Sequence, residues 1–304
     1  MVSRIATFAN TSMLVQASLN LQVKLSDEQS QEASGLKSTS FSGLKGDAGK
    51  LLDIQGQATR LQAESDMATS AAADVQSAYS AVSNITDLAT TVRTQLSAAL
   101  SGTGSSTTSA LSAADAQGWL QTLQSELNTE VGGRYVFAGQ AVDRAPVNFS
   151  SSSYDPTADP TTADTSYFQG TSTTRQLATT TGTTINISVS ADSSGFEKLA
   201  RALSMIAAAP TDQSQLSAAN DLVVSAESDL STTQAALSNQ ASALDTVTTD
   251  NTVKTTTLKN LATDLTGSDI STAAVMVSQY QTQLEAVYGA IGQLASVSIL
   301  KYLT

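Results

Sequence analysis

The sequence predicts a mainly α chain: both ends build a long antiparallel helical rod or coiled-coil bundle, and a small β-rich insertion domain occupies the middle. Three observations predict it. All four prolines lie between Pro146 and Pro210, with Pro156 and Pro160 between them, so the first 145 and the last 94 residues contain none. A proline inside a helix costs about 3 kcal/mol or more, and its absence leaves two long arms open to unbroken helix. Within those arms apolar residues recur every seven positions, whereas near residue 185 the period falls to two.

At the N-terminus, Ile5, Phe8, Val15 and Leu19 form one apolar stripe, and Leu14, Ala17, Leu21 and Leu25 form another. The next arm carries a seam of Ala68, Val75, Val82, Ala89 and Leu96, with Ala71, Ala78, Ile85, Val92 and Ala99 three residues further on. Heptad spacing of this kind predicts a helix over 51–100 whose small side chains let a partner helix approach closely. Gly102 to Ser109 is a Gly/Ser/Thr break. After it, Leu120, Leu123, Leu127 and Val131 mark one face of a shorter amphipathic helix. Between Pro146 and Ser194 the chain is crowded with Ser, Thr, Asp and Gly, with Tyr154, Tyr167 and Phe168 as aromatic anchors. There Ile185, Ile187 and Val189 alternate with Asn186, Ser188 and Ser190, the pattern of a half-buried strand.

The later arm is the clearest. Leu216, Val223, Leu230, Leu237, Leu244, Asn251, Leu258 and Leu265 stand at unbroken intervals of seven, and only Asn251 is polar. Their partner positions are Ala219, Ala226, Thr233, Gln240, Val247, Lys254 and Leu261, so a helix over 211–266 is expected, antiparallel to the one over 51–100. At the end, Ile270, Val277, Leu284 and Ile291 repeat every seven beside Tyr280, Val287 and Leu294, and Val297, Ile299, Leu300 and Leu303 follow. The expected domains are 1–40 plus 268–304 (terminal helices), 41–145 plus 195–267 (helical rod) and 146–194 (insertion).

Composition narrows the function. The net charge is −12 and the pI about 4.3, which argues against nucleic acid and an anionic membrane surface as partners. With neither His nor Cys, the chain lacks the commonest general base, the commonest metal ligand and all thiol chemistry. The first 25 residues have no continuous apolar core and no small-residue cleavage site, so no conventional signal peptide is expected.

Two segments invite a chemical reading. Gly43, Gly46, Gly49 and Lys50 in GLKGDAGKL resemble a phosphate-binding loop, but Leu44 stands five before Gly49 and Leu51 follows Lys50, where that loop needs Gly and Ser or Thr. A connection between helices is the better reading. Asp155, Asp159 and Asp164 share a loop, without the alternating spacing or closing Glu of a calcium loop. No catalytic residue, metal or cofactor is expected, and the chain reads as a non-enzyme.

The segment Gly133-Arg134-Tyr135-Val136-Phe137-Ala138-Gly139 is similar to the G-x-Y-x-F-A-G turn of the hook-filament junction family (hook-associated protein 3), within the flagellin superfamily. Val297 to Leu303 resembles the apolar C-terminal signature of that superfamily, and Ser3 to Leu21 its Ser-rich start. The Asp-Asp-Pro or Asp-Asp-Ala segment usual between the first two helices of these families has no counterpart in Ser38 to Asp47, and the Asn-x-x-Phe-Asn-Gly turn of filament flagellins is absent. The resemblance covers essentially the whole chain. It implies an extracellular structural subunit of the bacterial flagellum, exported through the type III channel without a cleaved leader. The implied partners are copies of itself in a helical ring, flagellin, the hook-proximal adaptor and an export chaperone.

Residues expected at copy–copy interfaces are Ile5, Phe8, Leu14, Val15, Leu21 and Leu25 near the start and Val277, Leu284, Val287, Ile291, Leu294, Ile299, Leu300 and Leu303 near the end. Amphipathic helices at chain extremities have few helices of their own chain to cover them. Gly133, Tyr135, Phe137 and Gly139 are expected to form a structural turn, the glycines supplying backbone angles closed to other residues. Two other roles fit the same pattern: a filament flagellin, and a self-contained helical-bundle secretion tip or scaffold protein.

Overall fold

The computed structural model describes the backbone of residues 2–101 and 111–300 and the side chains of 10–101 and 111–294. Ile5, Phe8, Ile299 and Leu300 lie outside the described side chains, and Leu303 outside the described residues. Six α-helices carry the described fold: α1 (Val2–Ser34), α2 (Asp47–Leu100), α3 (Ala113–Leu127), α4 (Ser194–Ala208), α5 (Gln213–Thr266) and α6 (Ile270–Leu300). Four short strands join them: β1 (Glu130–Val131), β2 (Arg134–Tyr135), β3 (Gln176–Ala178) and β4 (Thr184–Asn186). The chain forms two compact units, 1–60 with 254–304 and 61–253, so α2 and α5 contribute to both.

In the unit of 61–253 the heptad seam of α2 is the core. Ala68, Ala71, Val75, Ala78, Val82, Ile85, Ala89, Val92 and Leu96 are all buried. Their counterparts on α5, from Leu216 through Leu230 and Leu237 to Leu244, are buried as well. Arg93 Nη1 reaches Glu227 at 2.7 Å and Gln234 Nε2 reaches Thr86 Oγ1 at 3.3 Å. The residue number falls on α2 as it rises on α5, so the two helices run antiparallel, as expected. Burying each Leu, Ile or Val side chain contributes about 1.5–3 kcal/mol, and both seams add to one core that also takes in α3 and α4.

The α5 seam departs from expectation beyond Asn251. Lys254 and Leu261 are exposed, whereas Asn251 and Thr255 are buried and Leu258, Ala262 and Leu265 half-buried. Two successive steps of four, 247 to 251 to 255, replace the usual alternation of three and four. Such a stutter moves one row of the buried face by one residue.

Helix α3 begins in a capping box: Ser112 Oγ accepts from the Asp115 N–H at 3.2 Å, and Asp115 Oδ2 accepts from the Ser112 N–H at 3.2 Å. Helix α4, which the sequence reading did not separate from the rod, packs against α3 and buries Phe196, Leu199, Leu203 and Ile206. That i, i+3, i+7, i+10 spacing was legible in Phe196 to Ile206.

The segment 146–194 holds much less strand than its pattern predicts. Only β3 and β4 pair, antiparallel with Leu177 opposite Ile185, plus a single bridge between Val147 and Phe168. Past Asn186 the ladder keeps one bond, from the Ile187 N–H to the Arg175 carbonyl at 2.9 Å, while the Arg175 N–H turns to Ser188 Oγ at 2.8 Å instead of a strand carbonyl. The segment joins the helical core through Tyr167, Leu177 and Ile185. Tyr167 meets Phe149 at a tilt and Tyr154 edge-on, at centroid distances of 4.9 and 5.2 Å, and its hydroxyl donates to the Ala191 carbonyl at 2.9 Å.

Polar groups anchor this segment and the β1–β2 hairpin to α2. Asp74, buried on α2, accepts from Arg175 Nη2 at 3.0 Å and Arg134 Nη2 at 3.4 Å. Glu64 Oε2 accepts from the Thr180 N–H at 3.1 Å.

Candidate assembly face

In the unit of 1–60 with 254–304, α1 and α6 pack as an antiparallel pair. Gln31 Oε1 accepts from Ser268 Oγ at 2.9 Å, Lys24 Nζ lies 5.9 Å from the Tyr280 ring centroid, and Gln22 hydrogen-bonds the Tyr288 hydroxyl. Gly35 ends α1 in the left-handed region (φ 70°), its N–H closing on the Gln31 carbonyl at 2.8 Å. Beyond it the chain crosses to the end of α5. The Lys37 N–H donates to Thr266 O and the Ser268 N–H to Gly35 O, both at 2.8 Å. Lys37 Nζ reaches the Leu265 carbonyl at 3.0 Å, a cation placed on the negative end of α5. Asp269 caps α6, accepting from the N–H of Ser271 at 3.0 Å and of Thr272 at 3.3 Å.

The two sequence stripes of α1 have different fates. Leu14, Ala17, Leu21 and Leu25 are half-buried, and α6 is the helix against which α1 packs. On α6 the matching positions are Ala273 and Leu284, both buried, with Val277, Tyr280, Val287, Ile291 and Leu294 half-buried. Steps of three and four on each helix set these positions on one face of α1 and one face of α6. Ile270 shares that register yet is 53% exposed.

Val15 and Leu19 are 43% and 49% exposed, and the stripe continues to Val23 at 61%. Val23 extends the expected stripe of Val15 and Leu19 by one more step of four. Tyr288 and Val275 on α6 are exposed too, at 48% and 65%, and were not among the expected interface residues. No charged residue occurs between Arg4 and Lys24, and Glu285 alone is charged between 270 and 300. A face this poor in charge and open at apolar positions has the composition of an interface core.

The turn of 132–139 is built from backbone demands. Gly132 and Gly133 (φ 57° and 79°) form the two-residue link of the β1–β2 hairpin, the paired positive angles of a type I′ turn. Phe137 is fully buried and meets Phe196 edge-on at 5.7 Å, while Tyr135 is half-buried. Gly139 (φ 65°) lies against Thr171.

The segments weighed for chemistry are occupied by their own backbone. Asp155 and Asp159 accept from the N–H and hydroxyl groups of Thr157 and Thr161. Asp164 accepts from the N–H groups of Asp155 and Ser166. Among the described residues no three His, Cys, Asp or Glu side chains gather to hold a metal, and no helix is long and apolar enough to cross a membrane. Gly49 and Lys50 lie in the first turn of α2, where Lys50 Nζ stands 3.7 Å from Asp47.

No protein-family model matches the chain, and no curated protein matches it by sequence. Among solved structures, one described as a flagellar hook-associated protein from Vibrio parahaemolyticus superposes with a TM-score of 0.56 at 16% identity, covering 74% of this chain and 100% of that one. The Bacillus cereus FlgL structure superposes at 0.48 with 12% identity, over 69% of this chain and 99% of that one. The chain therefore has the fold of the Vibrio protein.

Proposed function

We propose that the chain is a structural subunit of the bacterial flagellum that joins the hook-proximal adaptor to the filament. The observation that carries this reading is the open stripe of Val15, Leu19 and Val23 on a charge-poor helix pair. Leaving three apolar side chains in water on one helix face is costly unless another surface covers them, and in a fibre the neighbouring copy does so. The fold shared with a hook-associated protein supports a flagellar place for such a fibre. The Gly133 to Gly139 turn favours the junction over the filament, because it is similar to the junction family's and unlike the filament family's.

On this reading Leu14, Leu21, Leu25, Val277, Leu284, Val287, Ile291 and Leu294 close the pair within one copy, and Val15 faces the next. The protein is exported and stands outside the cell, with flagellin, the adaptor and an export chaperone as its partners. Deleting the gene tests the assignment. Loss of a junction subunit releases flagellin into the medium while hooks persist; loss of a filament subunit leaves no flagellin to release. Wild-type filaments in the deletion strain would overturn both.

A further inference from the structure

The acidity of the chain is confined to one of its two units. Residues 61–253 hold six Lys and Arg against 19 Asp and Glu, a net of −13. Residues 1–60 with 254–304 hold nine against eight, a net of +1. Five of the six cations in the acidic unit already face carboxylates: Arg93 on Glu227, Arg134 and Arg175 on Asp74, Lys198 on Asp229, and Arg201 on Glu197. Asp87, Asp143, Asp221, Asp245 and Asp250 are exposed, and none belongs to those pairs.

The two units therefore present opposite tendencies to a second copy. The open stripe on α1 attracts by apolar burial, which dilute NaCl changes little. Surface carboxylates repel over the screening length, about 30 Å at 0.01 M and about 3 Å at 1 M. Resting on the fibre-subunit reading, we infer that the chain divides adhesion and repulsion between its units. The terminal helix pair draws copies together, and the carboxylates of 61–253 hold them apart until ionic strength screens them. Ionic strength thus gates self-association, and an unassembled copy stays soluble despite its open apolar face.

The test is static light scattering of the full chain from 10 mM to 0.5 M NaCl, beside the variant D87N/D143N/D221N/D245N/D250N. The five changes take the net charge of the chain from −12 to about −7. Repulsion scales with the product of the two charges, so the second virial coefficient at 10 mM falls about threefold. The variant then begins to associate at lower NaCl than the wild type, with unchanged circular dichroism. Equal virial coefficients at 10 mM, or wild-type association as strong at 10 mM as at 0.5 M, would overturn the inference. Both proteins repelling as expected yet staying monomeric at 0.5 M would uphold the repulsion and defeat the fibre reading. Should five substitutions unfold the chain, D245N/D250N carries the same test with about a 1.4-fold change.

Discussion

Gly139 lies so close to Thr171 that a methyl group at residue 139 would drive into the Thr171 carbonyl oxygen. The approach is fixed from both sides. The Thr171 N–H donates to the Ala138 carbonyl at 3.1 Å, and the Gln140 N–H donates to Thr171 Oγ1 at 2.8 Å. With φ at 65°, residue 139 also needs the left-handed region. Gly139→Ala therefore meets a backbone clash and an unfavourable angle together, and should lose about 3 kcal/mol or more of folding stability. Gly118 on α3 has nothing within 4 Å of an added Cβ. Gly118→Ala should gain about 0.5–1 kcal/mol from helix propensity. Denaturant unfolding of the two variants should move in opposite directions; a neutral Gly139→Ala would mean the turn is not held as described.

The two stripes of α1 separate assembly from folding. Changing the exposed set, V15S/L19S/V23S, removes apolar surface that nothing in the described chain covers. Self-association by sedimentation should fall at least tenfold while the melting temperature moves little. Leu284→Ala strikes the buried side of the same pair and should cost about 2–4 kcal/mol, lowering helix content near the termini. If the serine variant melts as early as Leu284→Ala, the stripe is part of the fold rather than an outer face.

Asn251 is 3% exposed and its Nδ2 has no hydrogen-bond partner. A buried, unmatched amide costs about 1–3 kcal/mol, so Asn251→Leu should raise the unfolding free energy by about 1 kcal/mol or more. The same residue starts the stutter to Thr255, so the variant should also sharpen the unfolding transition. Destabilisation on replacing Asn251 would show that its amide is satisfied in solution.

Asn251 also marks where the sequence ceased to be legible. From Ala68 to Leu96 every heptad position is buried where the spacing puts it, because an aliphatic repeat encodes the face of a helix directly. On α5 the repeat of Leu at 258 and 265 continues the count of seven, but the partner seam passes to Thr255 and Ala262, leaving Leu261 in water. Counting sevens cannot register a one-step shift whose new positions are small or polar. The segment 146–194 failed for a different reason. Its pairing is decided by side chains acting on backbone, such as Ser188 on Arg175, and period-two alternation carries no trace of that. At the candidate face the sequence identified both α1 stripes, but only the packing of α6 decides which one is covered.

Acid should weaken the link between α4 and α5. Asp229 Oδ2 takes Lys198 Nζ and Ser194 Oγ, each at 2.7 Å, and the lysine hydrogen bond, then the serine one, hold its carboxyl below the usual 3.8. A carboxyl whose folded value is depressed stabilises the fold above the unfolded value, and that contribution is lost as pH falls through the lower folded value. The side chain is about one-third exposed, so solvent screening limits the contribution to roughly 0.5–1 kcal/mol. Asp229→Asn should therefore lower stability by that amount at pH 7 and by less at pH 2.5, below the ordinary carboxylate value, as the wild-type carboxyl takes up protons. Denaturant unfolding at the two pH values checks this. An equal loss at both would show that the contact with Lys198 works by shape and not by charge.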